Sequence, residues 1–333
     1  MSVAQTKSLV REYLLAGVTP IIMGGPGTGK SEGVQQLAAE DDAILYETRL
    51  GLYESVDIHG MPHILNGAVV WAVPDCIAAV NAFPRDRKVY WFLDEYNIAT
   101  PAVMAASMQL TLNRRINSHV LNDNVQIICA GNRQSDRASA NRIPTAAARR
   151  LGRIDHEPDL EEVRTHLHAK GSPREVTGFL KFRPNMLFAL PANEDDHFPN
   201  PAGWEMVGRR AIEIPETLRP LWVRGIVGPG AASEFETWFR IGVRATRLEA
   251  ILADPVHHPV PGDDEPALQV AVASMLSLGA TRQNLDAIAT YADRMPKDLN
   301  VMTMVDATNR DKTLLKTNAF TSWAGRNQDV KAA

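Results

Sequence analysis

The hydrophobic and polar positions in the first half of the chain alternate between two patterns. Short apolar runs predict buried strands, and they occur in the segments TPIIMG, AILYETRL, KVYWFLD, VQIICAGN and GRIDHE. Between these runs, apolar residues recur at helical spacing, as in KSEGVQQLAAE, where Val34 and Leu37 share one face. Because strands that alternate with helices form parallel sheets with helices on their faces, the pattern predicts an α/β fold.

A helix is predicted in the segment TPAVMAASMQLTLNRR, between the third and fourth strands. Thr100 can cap its amino end, and Pro101 suits a first helical turn, where its missing N–H is not needed. Met104, Met108 and Leu112 follow one another at intervals of four residues and predict an apolar face. We interpret these three side chains as core rather than as a cofactor site.

Residues 51–74, between the second and third predicted strands, depart from this alternation. Gly60, Pro62, Gly67 and Pro74 interrupt the stretch at short intervals. Since glycine and proline end or kink regular elements, the stretch predicts an inserted loop or hairpin rather than a simple helix.

From about residue 158 onward the pattern becomes mostly helical. Proline-rich breaks at residues 190–203 and 253–266 divide this half of the chain. The segment ALQVAVASMLSLGA predicts a buried helix that is apolar nearly all round but too short to cross a membrane. The predicted organisation is an α/β domain over residues 1–158, a helical lid region over 159–252 and a helical C-terminal segment over 253–333.

The composition of the 333 residues, 45% hydrophobic and 22% charged, is that of a soluble globular protein. The net charge of −4 provides no bulk attraction to a polyanion, which argues against a nucleic-acid partner. No apolar run is long enough to span a membrane, and the first residues show no signal-peptide core. The only cysteines, Cys76 and Cys129, are too few for a disulfide framework, so we expect a cytoplasmic protein.

The segment GGPGTGKS fits the phosphate-binding pattern G-x-x-x-x-G-K-[ST] without a mismatch, and it lies between a predicted strand and a predicted helix. Glycines there allow backbone N–H groups to surround phosphate oxygens, while the lysine reaches the β- and γ-phosphates and the serine hydroxyl ligates Mg²⁺. The alternative is a glycine-rich turn that binds nothing. The predicted phosphate-binding residues are Gly24, Gly25, Pro26, Gly27, Thr28, Gly29, Lys30 and Ser31.

Two further strand ends carry polar residues that suit nucleotide chemistry. The run KVYWFLD ends in Asp94, which would hold Mg²⁺, and Glu95 follows it, where it would orient and polarise an attacking water. Asn132 follows the fourth strand and would point toward the γ-phosphate. The alternatives are an acidic turn after a strand and a Gly-Asn turn pair.

Arg149 and Arg150 precede the fifth predicted strand, and we expect them at the rim of the ligand-binding edge of the sheet. For Arg150 we favour an arginine finger, which neutralises charge on the phosphoryl group bound by a neighbouring subunit. The alternative is an arginine that opposes the dipole at the end of a helix, and we favour this interpretation for Arg149.

In this order and at these spacings, the motifs resemble an AAA+ ATPase, and more narrowly the MoxR group within the dynein-related AAA branch. SVDIHGMP resembles the D-x-x-G-x-P insert of that group, AGNRQSDRA its first sensor, and PTAAARRLGRIDHEPD its finger segment. FLKFRPNMLF and TNAFTSWAGRNQD are similar to family features outside the ATPase core. The resemblance therefore covers most of the chain.

The resemblance implies an AAA+ module with a parallel five-stranded sheet in the order 5-1-4-3-2, flanked by helices and followed by a helical lid. It implies Mg²⁺-dependent ATP hydrolysis at the interfaces of a ring, for which we expect a hexamer. It also implies a chaperone-like remodelling ATPase that activates or matures a target protein together with a von Willebrand factor A-domain partner. A Rubisco-activase-like role and, with less support, a nucleic-acid motor or loader stay open as alternatives.

Two features of the resemblance leave questions open. Relatives usually carry a lid arginine in a stretch similar to FPNPAGWE, where this chain has Ala202 and Gly203. Either Arg209 or Arg210 substitutes for it, or nucleotide sensing by the lid is weakened. In relatives the insert that corresponds to residues 51–74 faces the pore or the partner, but a hairpin that only covers the sheet is the alternative.

Overall fold

The computed structural model describes residues 1–136, 140–190, 197–244 and 248–327, and these form two compact units. Within those ranges, the first unit comprises Met1–Glu162, Leu190 and Asn200–Ala202. The second unit comprises Val163–Ala189, His197–Pro199 and the described residues from Gly203 onward. The finer division at residues 158 and 252 stays a prediction.

The first unit is built on a parallel sheet. Its strands, in chain order, are β1 (Pro20–Met23), β2 (Ile44–Arg49), β3 (Pro62–Leu65), β4 (Ala68–Trp71), β5 (Val89–Asp94), β6 (Arg115–Ile116), β7 (His119–Val120), β8 (Val125–Gly131) and β9 (Gly152–Asp155). The sheet has the spatial order β2-β5-β8-β1-β9, and all of its neighbouring strands are parallel. Numbered along the chain, these five strands have the order 5-1-4-3-2, so the predicted fold class is confirmed.

Both faces of this sheet are buried, as a parallel sheet requires. Trp91 and Leu93 of β5 enter one apolar cluster, while Tyr90 and Phe92 enter another, because successive strand residues point to opposite faces. Cys129 is fully buried and free, as the sequence predicts. The helices of this unit are α1 (Val3–Leu15), α2 (Lys30–Glu40), α3 (Ser55–His59), α4 (Asp75–Asn81), α5 (Pro101–Asn113) and α6 (Thr145–Ala148).

Helix α5 confirms the predicted cap and changes the predicted apolar face. The Thr100 hydroxyl accepts a hydrogen bond from the Val103 N–H at 3.4 Å, and Pro101 occupies the first turn. Met104 is buried, whereas Met108 and Leu112 are only partly buried. At 3.6 residues per turn, positions four apart rotate by about 40° per step, so this row turns away from the core. The buried face instead contains Val103, Met104, Ala106, Ser107, Leu110 and Thr111.

The inserted segment of residues 51–74 contains the predicted hairpin and, in addition, the short helix α3. Strands β3 and β4 pair antiparallel, with Ile64 opposite Val69. Asn66 and Gly67 connect them with left-handed backbone, φ 51° and 79°, which the favoured two-residue hairpin turn requires. The second hairpin, β6–β7, contacts this insert through a hydrogen bond of 3.0 Å from Asn117 Nδ2 to the His59 carbonyl.

The second unit consists of helices joined by turns and loops, and it has no strand among its described residues. Phe179, Trp204 and Phe235 are fully buried and pack against one another. No helix that the structure describes in either unit has the length and apolarity needed to cross a bilayer. The helices are α7 (Leu160–Ala169), which begins in the first unit, α8 (Arg174–Phe182), α9 (Pro201–Arg210), α10 (Arg219–Arg244, kinked at Gly228), α11 (Leu248–Ala253), α12 (Pro266–Gly279), α13 (Leu285–Ala292), α14 (Lys297–Arg310) and α15 (Asn318–Arg326).

Candidate active site

The predicted phosphate-binding loop connects the end of β1 to the start of α2. Gly27 and Gly29 have left-handed backbone, with φ of 70° and 92°, which residues with a Cβ rarely adopt. At Gly24 a Cβ atom would lie 2.8 Å from the His156 carbonyl oxygen. These glycines are therefore required by the backbone geometry of the loop, and the loop ends at a helix amino terminus, which favours an anionic ligand.

Lys30 joins the loop to the end of β8. Its Nζ donates hydrogen bonds to the carbonyl oxygens of Gly24 at 2.9 Å and Gly25 at 2.8 Å, and to Asn132 Oδ1 at 3.0 Å. The predicted lysine and the predicted sensor asparagine are thus brought together, although 102 positions separate them in the chain.

Burial lowers the pKa of Lys30 to about 8, although the charges of Asp94 and Asp136 oppose this shift. As the pH rises through about 8, the nucleotide-free protein loses this proton, so we expect its affinity for ATP to fall. Phosphate charges favour the ammonium form, so ATP binding at about pH 9 is expected to take up a proton. Calorimetry in two buffers of different ionisation enthalpy measures this uptake. An ATP affinity that stays constant between about pH 7 and 9.5 would contradict the prediction.

Ser31 and Asp94, the predicted magnesium ligands, are in direct contact. The Ser31 hydroxyl donates to Asp94 Oδ2 at 2.7 Å, and Asp94 Oδ1 accepts from the Glu95 N–H at 2.8 Å. Within the described residues there is no group of three or more histidine, cysteine, aspartate or glutamate side chains that could hold a metal ion. A hydroxyl beside one carboxylate fits Mg²⁺, which keeps several waters and also binds substrate phosphates.

Glu95 follows β5 directly and has left-handed backbone, with φ of 56°. This conformation costs a residue with a Cβ roughly 1–2 kcal/mol, and such strain concentrates at functional sites. The carboxylate lies against Gly51, where a Cβ atom would be 2.7 Å from Glu95 Oε2. Gly51 could not be identified from the sequence, because a single glycine carries no indication of a distant carboxylate.

Asn97, which is not among the predicted site residues, holds the predicted sensor in place. Asn97 is 1% exposed, its Nδ2 donates to the Asn132 carbonyl at 2.7 Å, and its Oδ1 accepts from the Asn132 N–H at 2.9 Å. Both backbone polar groups of Asn132 are therefore bound by one side chain. The available signal was a polar residue two positions after Glu95, but asparagine is common in turns.

His156 supports the phosphate-binding loop from behind and is likewise not among the predicted site residues. It follows β9, is 1% exposed, and its Nε2 lies 3.0 Å from the Thr28 carbonyl oxygen. Because a carbonyl oxygen only accepts, Nε2 carries the hydrogen, and in the neutral ring Nδ1 accepts from the Thr6 hydroxyl at 3.1 Å. Burial is the main cause that lowers the pKa of His156, so the neutral ring is favoured at neutral pH.

The predicted position of Arg149 and Arg150 at the ligand-binding edge is wrong. Strand β9 begins at Gly152, which pairs in parallel with Pro20, whereas the phosphate-binding loop follows Met23 at the other end of β1. Residues that precede a parallel strand lie at its amino end, at least about 10 Å along the strand from the loop at ~3.3 Å per residue. Both arginines are exposed, and neither side chain has a hydrogen-bond or ion-pair partner in the part of the chain that the structure describes.

Residues 200–202 lie against the phosphate-binding loop, and they include Ala202, where the resemblance leads us to expect a lid arginine. The Ala202 N–H donates to the Gly27 carbonyl at 3.1 Å, and the Asn200 side chain lies close enough to exclude a Cβ at Gly27. In the second unit, Arg209 is exposed and pairs with Glu205 at 2.7 Å. Arg210 is also exposed, and it lies 3.6 Å from Glu213. Substitution of the missing sensor by either arginine stays a prediction.

This chain is similar to known proteins that are distant from it in sequence. No family model matches the chain, and no curated protein matches it. Among solved structures, the chain is similar to a single-site mutant of RuvB from Thermotoga maritima, with 14% identity, a TM-score of 0.35, and coverage of 97% of this chain and 87% of that one. It is similar to the RuvB Holliday junction branch migration motor from Thermotoga maritima, with 15% identity, a TM-score of 0.35, and coverage of 97% and 86%. Similarity this low supports no statement about function.

Proposed function

We propose that this protein is a Mg²⁺-dependent ATP hydrolase of the AAA+ type that works as a ring, which we expect to be a hexamer. One observation carries the proposal: the Lys30–Asn132 and Ser31–Asp94 hydrogen bonds gather the predicted residues at the carboxyl edge of the sheet, beside Glu95. Parallel α/β sheets bind their ligands at this edge. The arrangement combines a phosphate-binding loop, a magnesium-binding pair and a carboxylate for water activation.

Each residue has a defined role in the proposed reaction. Lys30 and the loop N–H groups bind the β- and γ-phosphates, while Ser31 and Asp94 would hold Mg²⁺, which neutralises developing phosphate charge when bound. Glu95 orients the attacking water and accepts its proton, and Asn132 fixes that water through its side-chain amide. Phosphoryl transfer depends mostly on positioning and charge stabilisation, so a site of this kind needs no covalent intermediate between the protein and the phosphoryl group.

The position of Arg150 supports a ring. Because its main chain lies at the amino edge of the sheet, it does not approach the phosphate-binding loop of its own chain. Its exposed guanidinium group is available to a neighbouring subunit instead. A head-to-tail interface that closes on itself would place each Arg150 at the site of the next subunit, where it neutralises charge on the phosphoryl group.

A protein target is supported by the inserted segment of residues 51–74. It contains two carboxylates and no lysine or arginine, and it exposes large apolar side chains. Exposed apolar patches mark protein interaction sites, whereas a nucleic-acid motor needs cations to bind phosphates. We therefore propose a MoxR-like remodelling ATPase that acts in the cytoplasm on a protein target, together with a von Willebrand factor A-domain partner. The most exposed of these side chains are Ile64 at 80%, Leu52 at 79%, and Met61 and Val69 at 67% each.

The Glu95→Gln variant tests the chemistry. We expect it to bind ATP normally and its rate of hydrolysis to fall by about 10²-fold or more, because the amide cannot accept the proton of the attacking water. Phosphate release and the binding of a fluorescent ATP analogue measure the two quantities. Glu12→Gln, on the exposed surface of α1, is the matched control and should keep full turnover. Near-normal turnover in Glu95→Gln would show that the site has been wrongly assigned.

The same variant tests the biological role, because a subunit that binds ATP without hydrolysing it retains its partners. Proteins that co-purify with tagged Glu95→Gln in the presence of ATP can be identified by mass spectrometry. Recovery of an A-domain protein supports the MoxR-like role, and recovery of a metabolic enzyme alone supports the activase-like alternative. Recovery of nucleic acid without a protein partner would contradict the proposed protein target.

A further inference from the structure

Asn97 contacts two segments that lead to different parts of the proposed machinery. The first is the end of β8, where its side chain binds both backbone polar groups of Asn132, at 2.7 and 2.9 Å. A Cβ at Gly131 would lie 2.5 Å from Asn97 Oδ1, so this approach depends on a glycine at that position. Because Asn97 is almost fully buried, a lost partner would leave a polar group without compensation from water.

The second segment begins at Asn141 and leads to the arginine pair. The Asn97 carbonyl accepts from the Asn141 N–H at 2.7 Å, and Asn97 Nδ2 lies 3.4 Å from the Asn141 carbonyl. The Asn141 side chain in turn donates to the Ala99 carbonyl at 2.9 Å. From Asn141 the chain continues into the short helix α6, and Arg150 follows directly after that helix and Arg149.

Asn97, which is buried, therefore lies between Asn132 and the segment that begins at Asn141 and leads to Arg150. Lys30 contacts Asn132 at 3.0 Å, so a nucleotide that engages either side chain acts directly on this contact. The two hydrogen bonds between Asn97 and the backbone of Asn132 form a short, stiff connection, and Asn97 continues it to Asn141. Packed and hydrogen-bonded groups of this kind are the physical means by which one site affects another.

We propose that Asn97 is a positioning residue with two effects. It sets Asn132 at the nucleotide of its own subunit, and through Asn141 it sets the segment that presents Arg150 to the neighbouring subunit. It thereby couples the nucleotide state of one site to hydrolysis at the next. The inference rests on the proposed ring with an arginine finger that acts on a neighbour.

A mixture of two inactive subunits separates the two effects. The site-dead subunit carries Glu95→Gln and keeps Arg150, while the finger-dead subunit carries Arg150→Ala and keeps Glu95. In mixed rings, hydrolysis occurs only where a finger-dead subunit receives Arg150 from a site-dead neighbour. A further substitution in the site-dead subunit therefore reports on the presentation of Arg150, and the same substitution in the finger-dead subunit reports on the nucleotide site itself.

We expect Asn97→Ala to lower the turnover of the mixture from either subunit. Asn97→Ala keeps the main-chain bond to the Asn141 N–H but removes the contact of Nδ2 with the Asn141 carbonyl. In the site-dead subunit the loss should be at least about tenfold, because a displacement of ~1 Å in a positioned group can cost ~10²-fold in rate. Within the described residues, the Asn141 side chain bonds only to the Ala99 carbonyl. Asn141→Ala should therefore lower turnover from the site-dead subunit and leave turnover unchanged from the finger-dead one. The site-dead subunit that also carries Asn97→Ala or Asn141→Ala should bind ATP with the affinity of the subunit that carries Glu95→Gln alone.

Asn81→Ala is the matched control. Asn81 Oδ1 accepts from the Asn122 N–H and its Nδ2 donates to the Val120 carbonyl, both at 2.9 Å. It thus makes the same kind of paired contact as Asn97, but it does so before β8 begins at Val125, at the amino edge of the sheet. Its substitution should leave the turnover of the mixture unchanged from either subunit.

The outcomes separate failure of this inference from failure of the proposed function. Full turnover with Asn97→Ala in the site-dead subunit, in mixtures whose parent is active, would overturn the coupling and leave the ring function intact. If Asn97→Ala subunits do not enter rings, as native mass spectrometry would show, Asn141→Ala decides, and an unchanged turnover overturns the coupling. An inactive parent mixture would overturn both the finger assignment and the inference that rests on it.

Discussion

Arg150→Ala is expected to lower ATP turnover by about 10³-fold or more while ATP binding is retained, because arginine fingers contribute ~10³–10⁵ in rate. The side chain is exposed, and it lies at the amino edge of the sheet, away from the phosphate-binding loop of its own chain. Its removal should therefore leave the fold and the nucleotide contacts of its own subunit unchanged. Steady-state phosphate release and the binding of a fluorescent ATP analogue, measured on the same preparation, check both parts of the prediction.

Mixing with Glu95→Gln subunits should restore part of the turnover, because some interfaces then combine an intact Glu95 with an intact Arg150. Arg149→Ala is the matched control, since Arg149 is equally exposed and adjacent in the chain. If Arg149→Ala abolishes turnover and Arg150→Ala does not, the finger is the other arginine of the pair. A monomeric protein that keeps full turnover without Arg150 would disprove both the ring and the finger.

Lys30→Ala is expected to abolish ATP binding in a protein that remains folded. The substitution removes the hydrogen bonds of Nζ to the Gly24 and Gly25 carbonyls and to Asn132 Oδ1, and with them the charge that faces the phosphates. Burial disfavours the charged form of this lysine, as its lowered pKa of about 8 indicates, so its removal should cost little stability. Calorimetric titration with ATP and thermal unfolding followed by circular dichroism measure the two effects.

Lys88→Ala is the matched control for Lys30→Ala. Lys88 is an exposed lysine just before β5, at the edge of the sheet opposite the phosphate-binding loop. It should bind ATP with unchanged affinity. Wild-type affinity in folded Lys30→Ala would contradict the assignment of the loop. Loss of the folded state in Lys30→Ala would instead show that the three hydrogen bonds of its ammonium group outweigh the cost of burying it.

The elements of the fold and the reacting groups of the site could be predicted because each depends on residues close together in the chain. The loop from Gly24 to Ser31 requires left-handed glycines and a lysine at fixed spacing, and the apolar run before Asp94 defines a buried strand that ends in a carboxylate. Backbone preferences and side-chain chemistry over a few residues are sufficient for both. The order of the strands followed from the resemblance to AAA+ proteins, and the pairing of β1 with β8 and β9 confirmed it.

The supporting contacts of the site could not be predicted, because they join residues that are distant in the chain. Asn97 contacts Asn132 across 35 positions, and His156 contacts Thr28 across 128. No short sequence pattern predicts such pairs, because an isolated asparagine or histidine fits many structural roles equally well. Gly51 is a further case, because a side chain at this position is excluded by the carboxylate of Glu95, which is distant in the chain.

The position of Arg150 is a different case. Its residue type and its place before the fifth strand could be read from the chain, and both are compatible with a finger. A parallel sheet, which the sequence already predicts, puts residues that precede a strand at its amino edge, and the parallel pairing of Gly152 with Pro20 confirms that edge for Arg150. The sequence alone determined the elements and their chemistry. The tertiary structure decided which groups meet, because the alignment of parallel strands is set by packing across the whole sheet rather than by any local pattern.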